Sequence, residues 1–216
     1  MAGHALADDG DARHPTISEV LFDPPKGGAG DANSDGERHA TGDEFVELVN
    51  PHDTPIDLTG YTICNRIAAA DPTTRRGVRF QFPAFTLGPG EVVVVFNGCE
   101  SWIDGPVGTR DAAPDTPNDA FHGAWVFDMG NSSKNNTFAN SADAVVLFDP
   151  EGRAVEVVKW GSPDPAPPRV RATSIAKKNA KGSVQRAKPG GPLEDHMRLD
   201  RRPHSAGEVP KVLRGG

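Results

Sequence analysis

Apolar residues in this chain fall mostly in short runs with a period of two, separated by Gly, Pro, Asn and Asp. A period of two puts alternate side chains on opposite faces of an extended strand. Residues 16–22 form the first such run. Ile17 and Val20 are out of strict phase there, which predicts a bulge or bend. Pro24 and Pro25 stop the run, because proline cannot donate to a ladder. After a loop at 26–42, residues 44–49 make a second strand. Val46 and Leu48 share one face and Phe45, Glu47 and Val49 the other, a pattern that suits cover on both sides. A turn at 55–60 leads into 61–64, and 65–77 read as a polar loop. Residues 78–82 alternate, with Val78, Phe80 and Phe82 together. Residues 91–96 carry the strongest signal, Val-Val-Val-Val-Phe after Glu91, apolar on both faces and expected mid-fold.

Residues 97–123 form a long polar insertion, expected to be functional or mobile. A strand at 124–127 and a polar stretch at 131–140 follow. Residues 143–148 and 154–160 then pair as a hairpin across Asp149, Pro150, Glu151 and Gly152. Residues 162–168 read as an extended linker, and 172–181 as a weak helix. The sum is about seven or eight strands with turns at short spacing, an all-β sandwich or barrel.

Composition refines this picture. Gly (24) and Pro (20) are abundant, as many short elements joined by turns require. Residues 1–161 hold 11 basic and 25 acidic residues, a balance of −14, against 12 and 5, or +7, for residues 162–216. The basic end could meet an anionic partner such as nucleic acid, or lie on its own acidic domain. It lacks interleaved aromatics, which argues against base reading. No apolar run approaches the ~18 residues of a membrane span. Residues 1–14 lack a hydrophobic segment and read as a disordered leader. The expected location is outside the cell or on its surface if a signal has been removed, and cytoplasmic otherwise. Cys64 and Cys99 allow one disulfide or two buried thiols.

The residues resemble a family, the lamin tail domain. Asp43-Glu-Phe-Val-Glu-Leu-Val-Asn-Pro51 followed by Ile56-Asp-Leu-Thr-Gly-Tyr-Thr-Ile63 is similar to its opening strand and turn. Phe82-Pro-Ala-Phe-Thr-Leu-Gly-Pro-Gly-Glu91 resembles its next turn, and Asn140-Ser-Ala-Asp-Ala-Val-Val-Leu-Phe-Asp149 with Gly152 its closing hairpin. Ser183-Val-Gln-Arg186 and Ser205-Ala-Gly-Glu208 resemble its final strand and exit. The resemblance implies an immunoglobulin-like antiparallel β-sandwich with long loops and no catalytic residues, serving as an interaction or structural module for a protein or surface partner. Bacterial members are often attached to secreted or surface proteins. The expected organisation is a leader at 1–14, one domain over 15–208 with the insertion at 97–123 and an irregular basic segment at 162–182, and a tail at 209–216. The insertion at 97–123 and the acidic residues of 26–42 depart from the family pattern.

The sharpest local chemistry is Asp31-Ala-Asn-Ser-Asp-Gly36. Oxygen side chains at Asp31, Asn33 and Asp35, with Gly36 for the turn, suit a hard Ca²⁺ ion. Glu37 could add its carbonyl. The twelfth position is Gly42, so Asp43 or Glu44 would have to close the site, and the expected ligands are Asp31, Asn33, Asp35, Glu37 and Asp43. The alternative is an Asx-rich turn that binds nothing. Glu44 and Glu47, three apart on a strand, face opposite sides and read as single solvated carboxylates. The histidines never fall at metal-binding spacing, although His39 lies in the acidic loop, and no Ser sits in a nucleophile elbow. Gly27 to Gly30 lacks the strand–helix setting of a nucleotide site. Trp125 and Trp160 read as core, and Trp102 as a ligand contact. A metal-dependent hydrolase at the acidic loop is the remaining, weakest alternative.

Overall fold

A computed structural model describes residues 13–170, 172–176, 180 and 182–215, without the side chains of Ala172 and Ile175. In chain order its strands begin with β1 (Thr16–Leu21), β2 (Phe45–Val49), β3 (Ile56–Asp57) and β4 (Thr62–Asn65). They continue with β5 (Arg79–Gln81), β6 (Thr86–Leu87), β7 (Val92–Phe96), β8 (Trp125–Asp128) and β9 (Asp143–Phe148). The last four are β10 (Ala154–Trp160), β11 (Ala172–Ile175), β12 (Val184–Arg186) and β13 (Leu193–Asp195). Two short helices, α1 (Arg66–Ala70) and α2 (His196–Leu199), interrupt them.

Two sheets pack face to face as a sandwich. One runs β13-β12-β1-β2-β7-β8 and the other β11-β10-β9-β4-β5, with β3 and β6 as a small separate ribbon. Ile17, Val20, Val46, Leu48, Val93 and Val95 from the first sheet meet Ile63, Phe80, Val145, Leu147 and Val158 from the second. Phe22 stacks on Trp160 at 4.0 Å between ring centroids. The Trp160 indole N–H donates to the Ala139 carbonyl at 2.8 Å, so its polar edge is satisfied in the core.

Several local expectations hold in detail. A register shift lies between Ile17 and Glu19, where the out-of-phase pattern placed a bulge. It restores Val20 to the inner face after Ile17. Strands β2 and β7 are buried on both faces. Their outer residues, Phe45, Val49, Val92, Val94 and Phe96, lie under Phe121, Ala206, Val209 and Leu213. The insertion at 97–123 and the C-terminal segment therefore roof the first sheet. The insertion, expected to be functional or mobile, has a structural use at Phe121, which is buried, and at Asn118, which ties Asp104 and Pro106 to the turn before β8.

Other expectations change. Residues 65–77 are not all loop, because the Asn65 side chain accepts from the Ala68 N–H and caps α1. Of the segment expected to be a weak helix, Ala172–Ile175 is β11, parallel to β10. Strand β8 also pairs in parallel, with β7, so the named strands of the described residues pair antiparallel except at these two places. Residues 1–12 of the leader, and Lys177, Lys178 and Lys181 of the basic segment, lie outside the described residues. The last two leader residues are docked: Arg13 pairs with Asp53 at 2.7 Å, and the His14 ring lies 2.7 Å from the Tyr61 hydroxyl. Cys64 and Cys99 are buried free thiols.

Candidate functional site

The acidic loop precedes β2. Asp31 takes the Asp35 N–H at 3.1 Å and the Gly36 N–H at 3.0 Å on its two oxygens. The Asn33 carbonyl oxygen also accepts from the Asp35 N–H, at 3.1 Å, and Asp35 accepts from the Glu37 N–H at 2.8 Å. Ser34 and Gly36 take left-handed backbone angles that wind this turn. The loop thus brings Asp31, Asn33 and Asp35 together, two carboxylates and one amide. Glu37 joins the turn through its backbone N–H, while its side chain is exposed and 3.8 Å from the His39 ring.

Asp43 does something else. Its carboxylate is buried across the base of the loop and accepts from the N–H groups of Ala32 (2.7 Å), Asn33 (3.2 Å) and His39 (2.6 Å). Burial pushes its pKa up, partly offset by these three bonds. Gly42, at the twelfth loop position, has no room for a ligand side chain. A Cβ there would lie 2.5 Å from both the Cys99 carbonyl and the Ser101 hydroxyl. Among the described residues, no three His, Cys, Asp or Glu side chains are grouped to hold a metal ion.

The glutamates depart most from expectation. Glu44 and Glu47 are not solvated; both are fully buried. Glu44 accepts from Asn97 Nδ2 (3.1 Å), the Thr137 hydroxyl (2.6 Å) and the Phe138 N–H (3.2 Å). It fastens the 131–140 stretch to β2, and desolvation holds its pKa well above the usual range. Replacing Glu44 with Ala should strand those three donors and cost about 3 kcal/mol or more, read as a drop in the urea midpoint. Glu44→Gln, which keeps an acceptor and the volume, should cost less. Equal melts for the wild type and the Ala variant would remove this role.

Glu47 stands opposite Glu19 in the β1–β2 ladder, on the outer face. Ser18 Oγ and the Gly207 N–H each donate to Glu47 at 2.7 Å. Glu19 accepts from Gln185 Nε2 (2.9 Å) and from the N–H (3.0 Å) and hydroxyl (2.7 Å) of Ser205. Desolvation, then the neighbouring Glu19 charge, raises the Glu47 pKa well above its normal value. A third buried acid, Glu156 on β10, pairs with Arg186 on β12 and accepts from the Ile17 N–H at 2.8 Å. Neither Glu19 nor Glu156 stands out in the chain, since a strand glutamate looks the same whether it faces solvent or a roof.

The basic segment is partly spent on the fold. Arg186 is buried on Glu156, and Arg202 pairs with Asp200 and Glu208. Trp160 is buried, Trp125 half-buried and Trp102 58% exposed. Trp102 lies beside the acidic loop, its backbone N–H donating to Asp35 at 3.2 Å. No helix among the described residues is long and apolar enough to cross a membrane.

Residues 10–162 match the family model described as Lamin Tail Domain. That span ends before β11, β12 and β13. No curated protein matches the chain.

Proposed function

The chain belongs to the lamin tail domain family, and from that premise we propose that it is a non-enzymatic module that binds a protein or surface partner, its acidic loop stiffened by Ca²⁺. The observation that carries this reading is the use made of four strand and loop glutamates. Glu19, Glu44, Glu47 and Glu156 are buried and occupied by donors from distant strands and loops. They act as staples between elements and offer no exposed acid pair to a substrate.

Calcium fits the loop through Asp31, Asn33 and Asp35, with backbone carbonyls completing an oxygen shell. It would offset the mutual repulsion of Asp31 and Asp35 in one tight turn. Calcium at about a hundredfold above its Kd should stabilise the fold by about 2.7 kcal/mol. For a protein of this size that is a rise in Tm of roughly 5–10 °C over a chelated sample. Asp31→Ala with Asp35→Ala should abolish the rise. Identical melts in calcium and in chelator would remove the ion from the reading.

The wider proposal is tested by turnover and by nucleic-acid binding. The purified chain, with and without calcium, should hydrolyse no ester, phosphoester or glycoside. It should also give no saturable shift of a labelled DNA duplex at low salt. Hydrolysis lost on Asp31→Ala would favour a metal-dependent hydrolase, and duplex binding that weakens steeply with salt would favour the basic segment as a nucleic-acid contact.

A further inference from the structure

An open cleft of about 570 Å³ lies between the loop after α1 and the 131–140 stretch. Arg75, Arg76, Gly77, Ser133, Asn135 and Asn136 line it, with Ile67 as an apolar wall. No carboxylate is among these lining residues. Arg75 and Arg76 form no ion pair with a described residue, in a chain where acids outnumber bases by 30 to 23. The other cations of this region are committed. Arg66 pairs with Asp143 at 2.9 Å, Lys134 with Glu100 at 2.7 Å, and Arg79 donates to the Ala68 carbonyl. Asp71, the acid nearest in sequence, is engaged by the N–H and hydroxyl of Thr73.

The neutral groups of the cleft are donors without partners. The Ser133 hydroxyl accepts from the Asn135 N–H at 3.2 Å, which leaves its own proton free. The side-chain amides of Asn135 and Asn136 bond to no described residue.

The two walls are held in register from below. Asn65 Nδ2 donates to the Thr137 carbonyl at 3.2 Å, while its oxygen caps α1. Asn97 Nδ2 is shared between the Asn136 carbonyl (2.9 Å) and Glu44 (3.1 Å). Gly77 passes so close over Asn65 that a Cβ would meet its oxygen at 2.4 Å. The backbone of the two cleft walls is therefore fixed by buried side chains, Asn65 and Asn97, beneath it.

We infer that this cleft binds a tetrahedral oxyanion ester, a phosphate or sulfate carried on a body about the size of a sugar ring. Two guanidiniums from successive residues, neither of them neutralised by a carboxylate among the described residues, favour an oxyanion, whose oxygens match their forked N–H groups. The amides and the serine hydroxyl add neutral donors, and the volume falls in the range of small-molecule sites, larger than an inorganic ion fills. This goes beyond the module proposed above, which names no ligand for this face.

The test is a titration of the full chain followed by amide NMR and calorimetry, with glucose 6-phosphate, glucose 6-sulfate, inorganic phosphate and glucose as probes. Either ester should shift the amides of 75–77 and 133–136 saturably, more tightly than inorganic phosphate, and glucose should shift none. Preference for one ester assigns the class of anion, and equal affinity assigns the oxyanion they share. Arg75→Ala with Arg76→Ala should weaken binding at least about tenfold. Arg75→Lys with Arg76→Lys should weaken it less, because charge stays and the fork is lost. Both positions are exposed loop sites, so the variants should melt like the wild type. No saturation by either ester up to about 10 mM, or unchanged binding in the Ala double variant, would overturn the inference.

Discussion

A chain ended after Ser162, where the family match stops, is expected to lose cooperative folding. Three buried acids take their partners from residues 185–207. Glu19 would lose its bonds from Gln185 and Ser205, Glu47 its bond from Gly207, and Glu156 its ion pair with Arg186. Strand β1 would become an unpaired edge without β12. The outer faces of Phe45, Val94 and Phe96 would lose Ala206, Val209 and Leu213. Breaking one buried ion pair costs about 3–5 kcal/mol and each stranded polar group about 1–3. Together these come to about 5–11 kcal/mol, comparable with the roughly 5–15 kcal/mol that holds a domain folded, and the lost apolar roof adds to them. The truncated chain should show a broad, non-cooperative melt in circular dichroism and poor amide dispersion. A sharp melt near that of the full chain would show that residues 163–216 are dispensable.

The second large effect belongs to Glu156 and Arg186. Arg186 also donates to the carbonyls of Ile17 and Gly191, so this one guanidinium joins β1, β10 and the turn before β13. Arg186→Met should strand the Glu156 carboxylate and cost about 3–5 kcal/mol, or roughly 6–20 °C in Tm. Glu156→Leu added to it should recover part of that loss, because an apolar pair of similar volume carries no desolvation penalty. A double-mutant cycle measures the coupling. Additive single effects, with no recovery, would show that the pair is not the unit.

The same glutamate sets a pH dependence. Burial, outweighing Arg186 and the Ile17 N–H, raises the Glu156 pKa from 4.5 to about 7. An acid whose folded pKa is raised binds more protons folded than unfolded across that interval. Stability is then full below about 4.5 and falls as pH rises through about 7. Glu44 and Glu47 are shifted in the same direction, so they tilt the profile the same way. Urea midpoints should be higher near pH 5 than near pH 8, and Glu156→Gln should flatten the slope. Stability rising over that range would contradict this assignment.

Much of the fold was legible in the chain because it rests on local rules. The period of two in 44–49 and 91–96 placed β2 and β7, and their double-sided apolar faces required cover on each side. The phase break at Ile17 marked the bulge, and Asp149 to Gly152 marked the hairpin turn. Asp31, Asn33 and Asp35 meet in one turn because Asx side chains bond to backbone only two to five residues on.

What the chain alone did not determine is what lies above a face. The roof over β2 and β7 comes from Phe121 in the insertion and from Ala206, Val209 and Leu213 near the C-terminus. Glu47 meets Gly207 across 160 positions and Glu19 meets Ser205 across 186. No local period encodes such a pairing. Glu44 and Glu47 therefore read as solvated acids, when the tertiary structure makes them buried staples. Position 42 is settled the same way: the loop spacing points to a metal ligand there, and the closeness of Cys99 and Ser101 admits only glycine. Alternation and turn chemistry are properties of neighbours along the chain, whereas desolvation is a property of whatever folds back over them.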